Sequence, residues 1–289
     1  MSLVVNTNVG SLNAQRSLTA SASELKTAME RLSSGKKINS AADDAAGFAI
    51  AERMTAQIRG LNMATKNAND GLSMLAVIEN ATNDVTDMLH RMRELAVQAT
   101  NDTNGSQDKA YLNGEVNQLL QEIDRVASQT QYNGQTVLDG NFTSKSIQVG
   151  TEANQDITFS IDGIKTTDLG LGQINNGTDG TAGTTDDYWE ATINLTSDPS
   201  AALAKISTAI EQVAGDRAEY GALQNRLEYT VSNLMNVAEF TTAARSRIED
   251  ADFAAESARL AKAQVLQQTG TAMLAQANAS SQLALSLVR

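Results

Sequence analysis

The feature that most restricts the fold is a heptad seam. It begins at Ile50 and steps by four, three, four, three through Met54, Gln57, Leu61, Ala64, Ala68, Gly71, Leu75, Ile78, Thr82, Val85, Leu89, Met92, Ala96 and Ala99. Twelve of these fifteen positions are apolar, and chance rarely sustains such spacing for seven heptads. A continuous helix of that length spans about 75 Å at about 1.5 Å per residue, so it needs partners along its whole length. The polar stretch TNDTNGSQDK (100–109) ends it. A second seam follows at Leu112, Val116, Leu119, Ile123 and Val126, and a third at Ile206, Ile210, Val213, Tyr220, Leu227, Val231 and Leu234. Three helices with facing seams predict an elongated bundle.

The two ends carry the same spacing in weaker form. The first has Leu18, Ala22, Leu25, Met29 and Leu32; the last has Leu260, Val265, Leu266, Met273, Leu274, Leu283, Leu285 and Leu287 spread over more than one face. Residues 1–44 and 249–289 together contain one aromatic, Phe253, and no proline. Ser and Gln interrupt every apolar face, so burial within one chain does not offset nucleation and ordering entropy. Both ends are therefore expected to be largely disordered in the monomer and to fold on assembly. Leu18, Leu25, Met29, Leu32, Leu260, Leu266, Met273, Leu274 and Leu285 are the candidate assembly residues.

The period changes in the middle. YNGQTVLDG (132–140) supplies two glycine turns, and Ile147/Val149 and Ile157/Phe159/Ile161 alternate as strands do, predicting a small β-hairpin region over 140–165. GQINNGTDGTAGTTDD (172–187) reads as a surface loop. Tyr188-Trp189 and Ile193/Leu195 suggest one more short strand before Pro199 opens the return helix. The fold class is mainly α: an elongated bundle and coiled coil from paired terminal helices, with a small β-hairpin region. Its expected parts are a terminal coiled coil (1–44 with 249–289), a helical bundle with hairpin (45–170 with 200–248), and a short variable surface insert (171–199).

Charge separates these parts. The net charge is −12. The ends cancel to zero, while residues 140–199 hold nine acids against Lys145 and Lys165. This argues against nucleic-acid and anionic-membrane partners. The opening MSLVVNTNVGSLNAQR has neither the basic nor the apolar region of a cleaved signal peptide, and no apolar run is long enough to span a membrane.

Catalytic chemistry has little to work with. Cysteine is absent, and the single histidine, His90, is expected on the surface of the long helix. Metal and nucleophile–histidine sites therefore lack their residues. SSGKK (33–37) has no upstream glycine for a phosphate loop. Asp43-Asp44 after Asn39-Ser40, and Asp250/Asp252 after Ser246, fit the first turns of helices. Asp186-Asp187 is one acidic pair in a loop and weak evidence for a cation. No enzymatic activity and no cofactor are expected.

NTNVGSLNAQR (6–16), RLSSGKKINSAADDAAGFAIAERM (31–54), NANDGLSML (67–75), RMRELAVQA (91–99), QEIDRV (121–126) and TQYNGQTVLDG (130–140) resemble the N-terminal region of bacterial flagellins. ALQNRLEYTVSNL (222–234), SRIEDADFA (246–254), VLQQTGTAMLAQAN (265–278) and LSLVR (285–289) resemble the C-terminal region. The resemblance implies an extracellular filament subunit, a homopolymer whose terminal helices line a central channel. It implies type III export without a cleaved signal peptide, an export chaperone on 250–289, and cap and hook-associated protein partners. It also implies recognition by Toll-like receptor 5 through Arg91, Leu95 and Glu115. His90 stands where the family usually has glutamine, and Arg91 and Glu115 are equally candidates for ion pairs between subunits. Two other readings are a hook–filament junction protein of the same superfamily and a surface- or glycan-binding module using the acidic 140–199 region. The SLNAQR opening and LAQAN…LSLVR ending favour flagellin over the junction protein.

Overall fold

A computed structural model describes residues 7–175 and 188–286, with side chains described outside 173–175, 188–190 and 280–286. The elements are α1 (Val9–Ser34), α2 (Ala45–Ala99), α3 (Ser106–Gln129), β1 (Gln131–Tyr132), β2 (Gln135–Thr136), β3 (Lys145–Gln148), β4 (Asp156–Phe159), β5 (Gly172–Asn175), β6 (Tyr188–Ala191), α4 (Pro199–Glu249) and α5 (Phe253–Ser286). The chain divides into two compact units, residues 1–59 with 238–289 and residues 60–237, and the division falls within α2 and α4.

In the first unit α1 and α5 lie antiparallel. Asn8 Nδ2 donates to the Ala277 carbonyl at 2.8 Å, while Arg31 meets Glu256. Asn8 also caps α1, its side chain accepting from the Ser11 N–H at 3.1 Å, and Gly35 closes it in the left-handed conformation (φ 71°). A backbone stitch joins the exit of α1 to the end of α4 and the approach to α5. Lys37 N–H donates to Glu249 O, and Ala251 N–H donates to Gly35 O at 2.9 Å. Asp44 caps α2 through the Gly47 N–H (2.9 Å), and Asp252 caps α5 through the Ala254 N–H (2.9 Å). Asp43 instead binds the Asn39 and Ser40 N–H groups, which hold its carboxyl below the ordinary range. These bonds give the acidic pairs a structural role.

The second unit has one core, drawn from α2, α3, α4 and the segments between them. From Leu61 to Ala99, every position of the α2 seam is buried. Thr82 is tolerated there because its hydroxyl donates to the Glu79 carbonyl at 3.0 Å. The α3 seam differs from expectation. The buried line runs through Val116, Leu120, Ile123 and Ala127, whereas Leu119 and Val126 are half-buried. On α4, Ile206, Val213, Tyr220, Leu227 and Leu234 are buried. Pro199 occupies its first position, with Asp198 accepting from the Ala201 N–H at 2.9 Å.

The strands form three separate antiparallel pairs. β1 and β2 are joined by Asn133 and Gly134, both at positive φ (50° and 77°), as a two-residue hairpin with this twist requires. β3 and β4 pair from Lys145↔Phe159 to Gln148↔Asp156. Their tip rests on α2. Asn67 Nδ2 donates to Gln148 O at 3.1 Å, and a Cβ on Gly60 would lie 2.8 Å from Thr151 Cγ2. β5 and β6 form the third pair, so residues 172–175 are a strand and not part of a loop. The rest of the expected insert, 176–187, lies outside the described residues. Tyr188-Trp189 is a strand, but Ile193 and Leu195 follow it as core residues without strand pairing. The Asn113 side chain accepts from the Leu195 N–H at 2.9 Å and fixes that segment to α3.

Candidate assembly and recognition surfaces

The α1–α5 pair is a two-stranded seam built from small residues. Ser21 and Ala28 on α1 and Ala263 on α5 are buried, one heptad apart where they share a helix. Leu18, Leu25 and Leu32 fall beside them at half-burial, as do Leu260 and Leu274 on α5. Five of the nine candidate assembly residues therefore lie on the seam within one chain. Three face outward: Met29 is 51% exposed, Leu266 40% and Met273 64%. Leu285 lies in α5, with its side chain outside the described set.

The outward face holds more apolar surface than sequence reading assigned to it. Val9, Leu12, Phe253 and Val265 are each more than half exposed. A groove of about 710 Å³ runs between the helices, lined by Ser17, Ser21, Leu266, Gly270, Met273 and Ala277 among others. Its floor is narrow because a Cβ on Gly270 would come within 3.2 Å of Leu18 Cδ1.

Nearer the stitch, the same helix pair carries charge. Glu256 is 6% exposed and faces two arginines, with Arg31 Nη1 at 3.8 Å and Arg259 Nη1 at 3.4 Å. Lys36 and Arg245 both pair with Glu249. This cluster was not singled out in the sequence. An antiparallel alignment of the ends would have revealed it, because Asn8–Ala277 and Arg31–Glu256 share nearly the same register.

In the second unit, Arg91 on α2 meets Glu115 on α3 within one chain. Its Nε donates to Glu115 Oε1 at 2.9 Å, and its Nη1 donates to Glu94 Oε2 at 3.0 Å. The Glu115 bond, followed by the Glu94 bond, raises the guanidinium pKa further. Within the single chain this ion pair joins α2 to α3. All three side chains stay substantially exposed, and such pairs add little to stability. Leu95 differs from its two companions, since it is 1% exposed and packs in the core. It can shape the surface above it but presents no side chain there. His90 is exposed on α2.

Among the described residues, no group of three or more His, Asp or Glu side chains is placed to hold a metal ion. No helix among them is long and apolar enough to cross a membrane.

Comparison with known proteins extends these observations. Residues 5–143 match the bacterial flagellin N-terminal helical region, and residues 203–288 match the bacterial flagellin C-terminal helical region. The chain is 40% identical over 287 residues to a flagellin of Halalkalibacterium halodurans, covering 99% of this chain and 100% of that one. It is 41% identical over 300 residues to the flagellar filament 33 kDa core protein of Treponema phagedenis, with the same coverage. It is 35% identical over 375 residues to flagellin B of Vibrio cholerae, covering all of both chains. Among solved structures, a flagellar hook-associated protein from Vibrio parahaemolyticus shares the fold. Its TM-score is 0.55 at 14% identity, over 72% of this chain and 100% of that one.

Paired terminal helices, an apolar outer face and these matches define a class, the helical structural proteins of the bacterial flagellum. Within it, the chain belongs to the bacterial flagellin family. It is a structural subunit of the extracellular flagellar filament, and not an enzyme.

Proposed function

We propose that this flagellin couples folding of its terminal helices to polymerisation. The observation that carries this reading is the division of labour on α1 and α5: small residues close the intrachain seam, while large apolar side chains remain on the outside. Val9, Leu12, Met29, Phe253, Val265, Leu266 and Met273 average somewhat over half exposure. Covering what is open on them is worth about 6–12 kcal/mol gross, at about 1.5–3 kcal/mol per fully buried side chain. Association costs of about 4–15 kcal/mol take up most of that. Neighbouring subunits thus supply what one chain lacks, and the helix pair becomes fully ordered only in the polymer. Residues 1–44 and 249–289 form the filament core in this reading, and 171–199 its variable outer insert.

Further partners follow from the family. Export proceeds through the flagellar type III apparatus. A chaperone shields 250–289 beforehand, covering Val265, Leu266 and Met273. The cap and hook-associated proteins then meet the assembled ends. Recognition by Toll-like receptor 5 would use the exposed Arg91–Glu115 pair, with Leu95 supporting it from beneath.

Seeded polymerisation of the purified chain, followed by electron microscopy and circular dichroism, tests the central claim beside a chain lacking 1–44 and 249–289. Gain of helix during growth of long tubes, with the shortened chain staying monomeric, is the expected result. Tubes that grow without gain of helix would show that assembly proceeds with ends already folded.

A further inference from the structure

In the first unit, the α1–α5 pair encloses a second hollow, distinct in chemistry from the apolar groove. Its volume is about 640 Å³. Ala20, Ser23, Thr27 and Arg31 line it at three- and four-residue steps of α1, so that wall is small side chains ending in one guanidinium. Arg259 and Lys262, three residues apart on α5, supply two more cations. Glu24 and Glu256 are the acids among its lining residues, which leaves one positive charge in excess. That excess stands on a chain whose net charge is −12.

The cations are short of acceptors. Arg31 Nε is buried and has no hydrogen-bond partner. Glu256 does not saturate its two arginines. It lies 3.8 Å from Arg31 Nη1 and 3.4 Å from Arg259 Nη1, against about 2.7–2.9 Å for a well-formed charge-assisted bond. Asp43 also senses the Arg31 charge, but its Oδ2 is engaged by the Asn39 and Ser40 N–H groups. Lys262 has no hydrogen-bond or ion-pair partner among the described residues. A buried donor left unmade is costly, and a carboxylate brought to it removes the cost.

We propose that this hollow receives a carboxylate side chain from a second copy of the chain, held by Arg31, Arg259 and Lys262. The inference rests on the reading that neighbouring subunits cover α1 and α5, and it adds an ion-paired contact to the apolar one. Size favours a side chain over a free ion. The hollow is many times the about 30 Å³ that a water occupies, and small residues on its α1 wall leave room for an incoming stem. Charge points to the same occupant, since a copy with net charge −12 brings acids to a site with positive charge in excess. The contact would also set register. An apolar face tolerates sliding, whereas a carboxylate has to arrive at one place along both helices.

The test uses polymers grown from equal parts of heavy-isotope-labelled and unlabelled full-length chain, treated with a water-soluble carbodiimide. The reagent joins a carboxylate to the Lys262 amine as an amide and takes up the water released, provided the two groups already touch. Mass spectrometry should find Lys262 joined to an Asp or Glu of the other isotope in the polymer and not in the monomer. Lys262→Gln should raise the critical concentration about 2- to 5-fold and flatten its salt dependence, with thermal unfolding of the monomer unchanged. Lys262 joined only to Glu24 or Glu256 of its own chain, or to nothing, would overturn the proposal. So would inorganic phosphate raising the melting temperature of the monomer through Lys262 while polymers show no link, which would make the hollow a free-anion site. Tubes that gain helix without the link sink this contact alone. Tubes that carry the link without gain of helix sink coupled folding and leave the contact standing.

Discussion

Met273→Ala separates assembly energy from folding energy. Met273 is 64% exposed on α5. A fully covered methionine contributes about 1.5–3 kcal/mol, so about 1–2 kcal/mol remains to be gained when a neighbouring subunit closes over it. Alanine forgoes most of that gain. At a factor of ten for each 1.4 kcal/mol, the critical concentration for polymerisation should rise about 5- to 30-fold. The monomer should hardly notice, because little of the side chain packs within the chain and alanine is the better helix former. The assay is sedimentation of polymer across a series of subunit concentrations, paired with thermal unfolding of the monomer by circular dichroism. An unchanged critical concentration would refute the idea that this face is buried by assembly. A rise matched by an equal loss of monomer stability would refute the claim that Met273 is free in the single chain.

Three further substitutions probe the interior. Gly163→Ala puts a Cβ 2.1 Å from Asp168 Oδ2 and 2.9 Å from the Gly140 backbone, and should cost about 1–3 kcal/mol in urea unfolding. Thr166→Val removes the hydroxyl that donates to Asp124 Oδ2 at 2.8 Å. It keeps the Thr166 N–H bond to Oδ1, and should cost about 1–3 kcal/mol without changing far-UV circular dichroism. Glu256→Ala leaves Arg31, whose side chain is 19% exposed, without its counter-charge. It should lower stability by about 1–3 kcal/mol and speed proteolysis between α1 and α5.

Helices and their seams were readable because apolar spacing leaves its mark wherever large residues line a core. Leu75, Ile78, Val85, Leu89 and Met92 are all fully buried where the heptad put them. In α3 the same logic slipped by one position. Leu119-Leu120 and Val126-Ala127 are adjacent apolar pairs, so sequence alone offers two registers, and packing selects Leu120 and Ala127. The α1–α5 seam was harder to see because its most buried members, Ser21, Ala28 and Ala263, are too small to stand out by hydrophobicity. Arg91–Glu115 depends on how the turn at 100–105 aligns α2 with α3, which no local pattern encodes. Tyr220 was legible as a seam residue, since it falls on the heptad line of α4.

The β5–β6 pair sets a rule for how this chain can lengthen. Asn175 and Tyr188 are cross-strand partners, so whatever chain connects them must begin and end at almost the same point. A connection that leaves and returns through such a clasp transmits little strain to the bundle, whatever its size. Each doubling of a flexible connection costs only about 0.6 kcal/mol of closure entropy. Foreign epitopes or whole folded modules grafted between these two residues should therefore leave the subunit's stability nearly unchanged, making the clasp a natural port for surface display.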